Sequence, residues 1–197
     1  MKKIVVLITV ILSAALILSG CFGSGKDSDP KQSESPKTEK LQTIKSTQSD
    51  LSIEVAESWK QNDTGGDTAA SISLISEKED LALIVIEEKT SDFDKELTPE
   101  KYADMLVEVM KETEGASNWQ VDALTDVTIG DGVAAKQRTI SVTMDGVNLK
   151  YLQTICKTDD YFVAILEWTT PSKFDGTLQV FNDILATVKF NAAEKAS

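Results

Sequence analysis

Two segments of the sequence are apolar at nearly every position, and each predicts a strand that is buried on both faces. Residues 81–86 read LALIVI and residues 161–168 read YFVAILEW. Successive residues of a strand point to opposite faces of its sheet, so a strand with one face in water alternates between apolar and polar residues. Neither segment alternates in this way. Both are therefore predicted to be central strands of a sheet with other layers packed on each face.

Short turns between the remaining strand-like segments predict antiparallel pairing. Asp131-Gly132 and Asp145-Gly146 are typical two-residue hairpin turns, and the charged connection at 76–80 predicts a further hairpin. About seven strands follow from this pattern, at residues 51–55, 70–75, 81–86, 121–129, 133–144, 147–156 and 161–168.

Two amphipathic helices complete the prediction. Thr98-Pro99-Glu100 is a strong helix start, with an N-cap threonine, proline in the first position and an acid in the first turn. Apolar residues then recur at helical spacing, at Tyr102, Met105, Leu106, Val109 and Met110. A second stripe comprises Leu178, Phe181, Ile184, Leu185 and Val188. The predicted class is α+β, an antiparallel sheet with helices on both faces, in an α/β/α sandwich.

The N-terminus has the organisation of a secretion signal. Lys2 and Lys3 precede an apolar run over residues 4–18, which ends in Leu-Ser-Gly before Cys21. This order resembles the lipobox of bacterial lipoproteins. The resemblance implies that Cys21 carries a diacylglycerol and becomes the first residue after cleavage. The chain is then expected to be anchored by lipid on the extracytoplasmic face of the cell membrane, in a Gram-positive bacterium.

The signal sets the expected division of the chain. Residues 1–20 are the signal peptide, and residues 21–49 are the lipidated cysteine and a disordered tether, which has too few large apolar residues to fold. Residues 50–190 are the globular domain, and residues 191–197 are a frayed tail.

Composition excludes several kinds of chemistry. The chain has no histidine and two cysteines, which removes imidazole catalysis and four-thiolate metal sites. Its net charge of -12 argues against a nucleic-acid partner, which would need a basic face. With Cys21 lipidated, Cys156 has no partner for a disulfide and is expected to be a buried, unreactive thiol. No catalytic residue, metal ligand or cofactor is predicted.

The order of elements resembles the PsbP-like superfamily. A strand runs into a Trp at 51–59, a strand pair precedes the Thr-Pro-Glu helix, and a meander rich in Asp-Gly turns leads to the strand at 161–168. The resemblance covers residues 50–190. It implies an α/β/α sandwich and no catalytic residues, since members of that superfamily are mostly assembly or binding proteins.

The expected function is therefore a non-enzymatic binding or assembly module with an unidentified protein partner. Two alternatives stay open, a carboxylate-based hydrolase of the cell surface and a weak calcium-responsive surface protein. The second rests on alternating acids in the loop before the first helix. The residues expected to contact the partner are Asp92, Asp94, Glu96 and, in a predicted loop, Trp119.

The remaining tryptophans and the single arginine have structural interpretations. Trp59 and Trp168 follow apolar strand residues and are expected in the core. Arg138 lies in the predicted meander of an acidic domain, where it is expected to pair with a nearby carboxylate.

Overall fold

A computed structural model of the chain describes residues 40–62 and 70–190. Two helices lie in these ranges, α1 (Pro99–Lys111) and α2 (Pro171–Ala186). The strands are β1 (Leu41–Lys45), β2 (Leu51–Ala56), β3 (Lys60–Gln61), β4 (Ala70–Ser76), β5 (Leu81–Lys89), β6 (Ala116–Val121), β7 (Thr125–Ile129), β8 (Val133–Met144), β9 (Val147–Lys157), β10 (Tyr161–Thr169) and β11 (Lys189–Phe190).

The strands form two sheets. The larger has eight strands in the order β3-β4-β5-β10-β9-β8-β6, with β7 also paired to β8. The smaller has the order β1-β2-β11. Every pair in the described ranges is antiparallel. The hairpin turns were predicted correctly, but the small second sheet was not expected.

The strands β5 and β10 lie side by side in the middle of the large sheet and are buried on both faces, as predicted. Their side chains alternate between two apolar clusters. Val85 and Ile165 belong to the cluster beneath α2 and the small sheet, whereas Ile84 and Leu166 belong to the cluster beneath α1. The predicted class, an antiparallel α+β sheet with helices on both faces, is confirmed.

Helix α1 begins where the sequence indicates. The Thr98 hydroxyl accepts a hydrogen bond from the Lys101 amide at 3.4 Å, and Pro99 occupies the first turn. The buried face is rotated slightly from the predicted stripe, because Ala103 and Val107 are buried where Met105 and Val109 were expected. Helix α2 begins at Pro171, earlier than its predicted apolar stripe, and it ends before Val188.

Arg138 fastens α1 to the sheet. Its side chain is 5% exposed and donates to the Asp104 carboxylate, the Ala103 carbonyl and the Gln153 side chain, each at 2.7 Å. The expected pairing with a nearby carboxylate is confirmed. The guanidinium is buried while the Asp104 carboxylate is 68% exposed, so the buried bonds to Ala103 and Gln153 carry most of the contact that holds the helix on its face of the sheet.

The predicted tether is wrong at its C-terminal end. Residues 41–45 were expected to be disordered, but they form β1, which pairs with β2 from Leu41↔Ala56 to Lys45↔Ser52. The predicted strand at 121–129 is likewise two strands, β6 and β7. The signal peptide, the lipid site at Cys21 and the tail at 191–197 lie outside the described residues.

Three expectations about buried side chains are confirmed. Trp59 is 2% exposed and Trp168 is 7% exposed, and both belong to the apolar clusters. Cys156 is buried and carries a free thiol. Burial, together with the charge of Glu87, raises the pKa of this thiol to about 12, so it is protonated and unreactive at neutral pH.

Glu167 is an unusual core residue. It lies on β10 between Leu83 and Leu152, it is completely buried, and neither carboxyl oxygen has a hydrogen-bond partner in the described structure. Burial raises the pKa of Glu167 well above its usual value. A buried polar group without a partner destabilises the fold by roughly 1–3 kcal/mol.

We expect Glu167→Leu to raise the free energy of unfolding at neutral pH by about 1–3 kcal/mol, because it removes two unpartnered oxygens. A carboxyl group whose pKa is raised by folding favours the folded state fully below the pKa of about 4.3 that it has in the unfolded chain. This favourable contribution is lost as the pH rises towards the pKa of Glu167 in the folded protein. The gain should therefore be larger at pH 8 than at pH 5, measured by urea unfolding. The exposed control Glu57→Gln should change stability by less than about 0.5 kcal/mol. An equal or lower stability of Glu167→Leu at pH 8 would contradict this account.

Candidate functional site

Three connecting segments meet at one end of the large sheet. They are residues 46–50 after β1, residues 90–98 after β5 and residues 158–160 after β9. We call these three segments the acidic end. They carry one lysine and six carboxylates, which are Asp50, Asp92, Asp94, Glu96, Asp159 and Asp160.

Hydrogen bonds between the segments tie the acidic end together. The Thr90 amide donates to the Asp160 carbonyl at 2.9 Å, and the Thr90 hydroxyl donates to the Asp159 carbonyl at 2.8 Å. The Tyr161 hydroxyl donates to the Gln48 carbonyl at 3.3 Å. The segment at 158–160 is thus bonded directly to the loop at 90–98, and Tyr161, which follows it, is bonded to the segment at 46–50, so the three form one continuous surface.

The loop at 90–98 is anchored by its apolar residues. The Phe93 ring packs edge-on against Tyr102 and Phe162, with centroids 5.7 and 5.5 Å apart. The Lys157 ammonium donates to the Leu97 carbonyl at 3.1 Å. Between these anchors the predicted contact residues are exposed, namely Asp92, Asp94 and Glu96.

Glu87 holds the segment at 46–50 against the large sheet. It is 4% exposed, and its two carboxylate oxygens accept hydrogen bonds from the Ser46 and Ser49 hydroxyls. The Ser46 hydroxyl also accepts hydrogen bonds from the Gln48 and Ser49 amides, and the Ser49 hydroxyl accepts one from the Leu51 amide of β2 at 3.0 Å. A buried carboxylate thus fixes the conformation of an otherwise polar loop.

Glu88, the next residue, faces the opposite side of the sheet and contacts α1. The Tyr102 hydroxyl donates to its carboxylate at 2.6 Å. Burial raises the pKa of Glu88, the hydrogen bond from Tyr102 lowers it, and the charge of Asp92 raises it further. Two consecutive acids of β5 therefore position the elements on opposite faces of the sheet.

A groove of about 630 Å³ opens between the segments at 46–50 and 158–160. Its wall includes the buried Leu51 and the half-buried rings of Tyr161 and Phe190, together with polar side chains. None of the residues lining it carries a positive charge. Its acidic residues are Asp50, Asp159 and Asp160.

In residues 40–62 and 70–190, no group of three or more acidic or cysteine side chains is placed to hold a metal ion. The acids of the loop at 90–98 point into solvent. Glu88 and Glu167, whose pKa values are raised, both lie outside the groove. Across the same ranges, no helix is long and apolar enough to span a membrane.

Trp119 does not join the acidic end, and its predicted loop is wrong. It lies in β6, half-buried against the cluster beneath α1. β6 pairs with the end of β8 that leads into the turn at 145–146, whereas the acidic end lies at the other end of the sheet. A bulge in β6, with Asn118 at a φ of 55°, explains why its sequence resembles a loop.

Neither the groove nor the contact of Glu87 with the segment at 46–50 was predicted from the sequence. Asp159 and Asp160 lie between two of the predicted strands, but no local pattern shows that this connection meets the segment at 46–50. The contact between Ser46 and Glu87 spans 41 positions along the chain.

Comparisons with solved structures show which known fold the chain is similar to. No family model matches the chain, and no curated protein matches its sequence. The solution structure of cyanobacterial PsbP (CyanoP) from Synechocystis sp. PCC 6803 superimposes with a TM-score of 0.62 and 12% identity, over 82% of this chain and 98% of that protein. The fold is PsbP-like.

A second structure with a similar fold is LpqN, described as involved in cell envelope biogenesis of Mycobacterium tuberculosis. It has a TM-score of 0.53 and 12% identity, over 78% of this chain and 91% of that protein. At this identity the two similarities establish the fold.

Proposed function

We propose that this protein is a lipid-anchored extracytoplasmic module that binds a protein partner through the acidic end and catalyses no reaction. The observation that carries the proposal is the surface itself. Six carboxylates and one lysine are displayed by three loops that hydrogen bonds hold together. Such a concentration of one charge favours a partner with a cationic surface and speeds its association.

The point at which the chain enters the domain supports this orientation. The Lys40 carbonyl accepts a hydrogen bond from the Glu57 amide at 2.8 Å, near the hairpin turn that joins β4 to β5. From there β1 runs towards the acidic end, so the tether side and the acidic end lie at opposite ends of the domain. A lipid at Cys21 would leave the acidic end facing away from the membrane, where anionic headgroups do not repel it.

Two further observations support an envelope location. The Leu-Ser-Gly-Cys sequence at 18–21 has the order of a lipoprotein signal. A structure with the same fold, LpqN, is described as involved in cell envelope biogenesis. Loops on a rigid scaffold commonly carry binding function, and the acidic end fits that pattern.

Charge reversal at Asp92, Asp94 and Glu96 to lysine should reduce partner capture by about tenfold at low ionic strength, because attraction becomes repulsion. Full-length protein immobilised on beads would be incubated with solubilised membranes of the cells that produce it. The captured proteins would then be quantified by mass spectrometry. The matched control reverses Glu57, Glu77 and Glu79 at the opposite end and should capture normally. Capture by the wild type should also fall as salt rises, because screening shortens the range of the attraction. Equal capture by both triple variants would refute the role of the acidic end.

Replacing Cys21 with Ala should abolish lipid attachment and move the protein from the detergent phase to the aqueous phase in a phase-separation assay. Two acyl chains anchor a protein stably, so the shift should be nearly complete. Cys156→Ser serves as the control and should remain in the detergent phase. A native protein whose intact mass shows an unmodified Met1 would rule out the lipid anchor.

A further inference from the structure

We propose that the groove between residues 46–50 and 158–160 binds a lysine- or arginine-containing segment of the protein partner. This inference rests on the proposed function, because it assigns to one part of the acidic end the chemistry of the contact. The groove holds about 630 Å³, which is within the range of ligand clefts and far more than a single ion needs. It fits several residues of an extended chain.

The lining suits the two parts of a long basic side chain. The rings of Tyr161 and Phe190 are half-buried at its wall, where they can contact the aliphatic stem of a lysine or arginine. The carboxylates of Asp159 and Asp160 are exposed at its rim and can accept from the charged head. A cation over either ring gains a further attraction.

The carboxylates of Asp159 and Asp160 are exposed and have no ion-pair partner among the described residues. No basic residue lines the groove. Elsewhere on the surface, basic residues pair with acids, as Lys136 does with Glu100 at 2.7 Å and Asp126 at 2.6 Å. The groove therefore combines two aromatic rings, a sizeable volume and, at Asp159 and Asp160, two carboxylates without an ion pair.

The groove is also held in shape. The Tyr161 hydroxyl bonds to the Gln48 carbonyl across it, and Glu87 fixes the adjoining serines. A site formed in the free protein avoids the entropy of ordering its loops when the partner binds. Contacts from Thr90 to the turn at 158–160 make the groove continuous with the loop at 90–98, so one partner can cover both.

Titration of the full-length, nitrogen-15-labelled protein tests the inference with a defined probe. The probe is a five-residue peptide with two lysines separated by glycine and blocked at both ends, and its control is the same peptide with both lysines acetylated. The lysine peptide should bind saturably and shift the amide signals of residues 47–50 and 158–161. The acetylated peptide should cause no saturable shift, because it has lost the charge.

The double variant Asp159→Asn with Asp160→Asn should weaken binding of the lysine peptide about tenfold, since two ion pairs are lost. The backbone bonds of both residues remain, so the amide spectrum should keep its dispersion. The control pair Glu77→Gln with Glu79→Gln, at the other end of the sheet, should bind as the wild type does.

Three results would contradict the proposal that the groove binds a basic segment. They are no saturable binding, shifts confined to residues 92–96, or equal weakening in both pairs of variants. Each of these leaves the capture experiment on Asp92, Asp94 and Glu96 unaffected, so failure of the groove is distinguishable from failure of the proposed function.

Discussion

The pairing of β5 with β10 is the contact on which the rest of the structure depends. The two strands pair over eight positions, from Tyr161↔Lys89 to Trp168↔Ala82, and both are apolar on each face. Such a pair is stable in water only when both faces are covered, because each buried apolar side chain contributes roughly 1.5–3 kcal/mol. Helix α1 covers one face, and α2 with the small sheet covers the other. The two clusters are thus consequences of one strand pair.

Strand β5 also connects the core to the acidic end. At its C-terminal end β5 changes from apolar residues to Glu87 and Glu88, whose side chains turn to opposite faces. Glu87 holds the segment at 46–50, and Glu88 contacts α1 beside the loop at 90–98. The buried Glu87 fixes the segment at 46–50 to the central strand, and the Thr90 bonds to Asp159 and Asp160 join the turn at 158–160 to the loop at 90–98. This rigidity suits the proposed contact, because the loops need not be ordered when a partner binds.

The pattern of apolar residues was sufficient to predict the central strands of the large sheet, but it did not predict β1 or the bulged strand β6. The unbroken apolar runs in β5 and β10 predicted central strands correctly, because burial on both faces is a local property of the sequence. β1 was missed because it has only two large apolar residues, Leu41 and Ile44, and its order comes from pairing with β2. Trp119 was misplaced because the residues before it are typical of a loop. In the structure these residues form a bulge in β6, with Asn118 at a positive φ. Glu87 and Glu167 could not be told apart by sequence, since only the fold places serine hydroxyls beside one and leucines beside the other.

The central claim is the proposal that the acidic end binds the protein partner. Amide hydrogen exchange tests it most directly, comparing the full-length protein alone with its complex with the protein that it captures from its own membranes. The account predicts slower exchange on binding in residues 46–50, 90–98 and 158–161, with no change in the hairpin turn at 76–80. Protection centred on that turn, or on the edge strand β6, would contradict it.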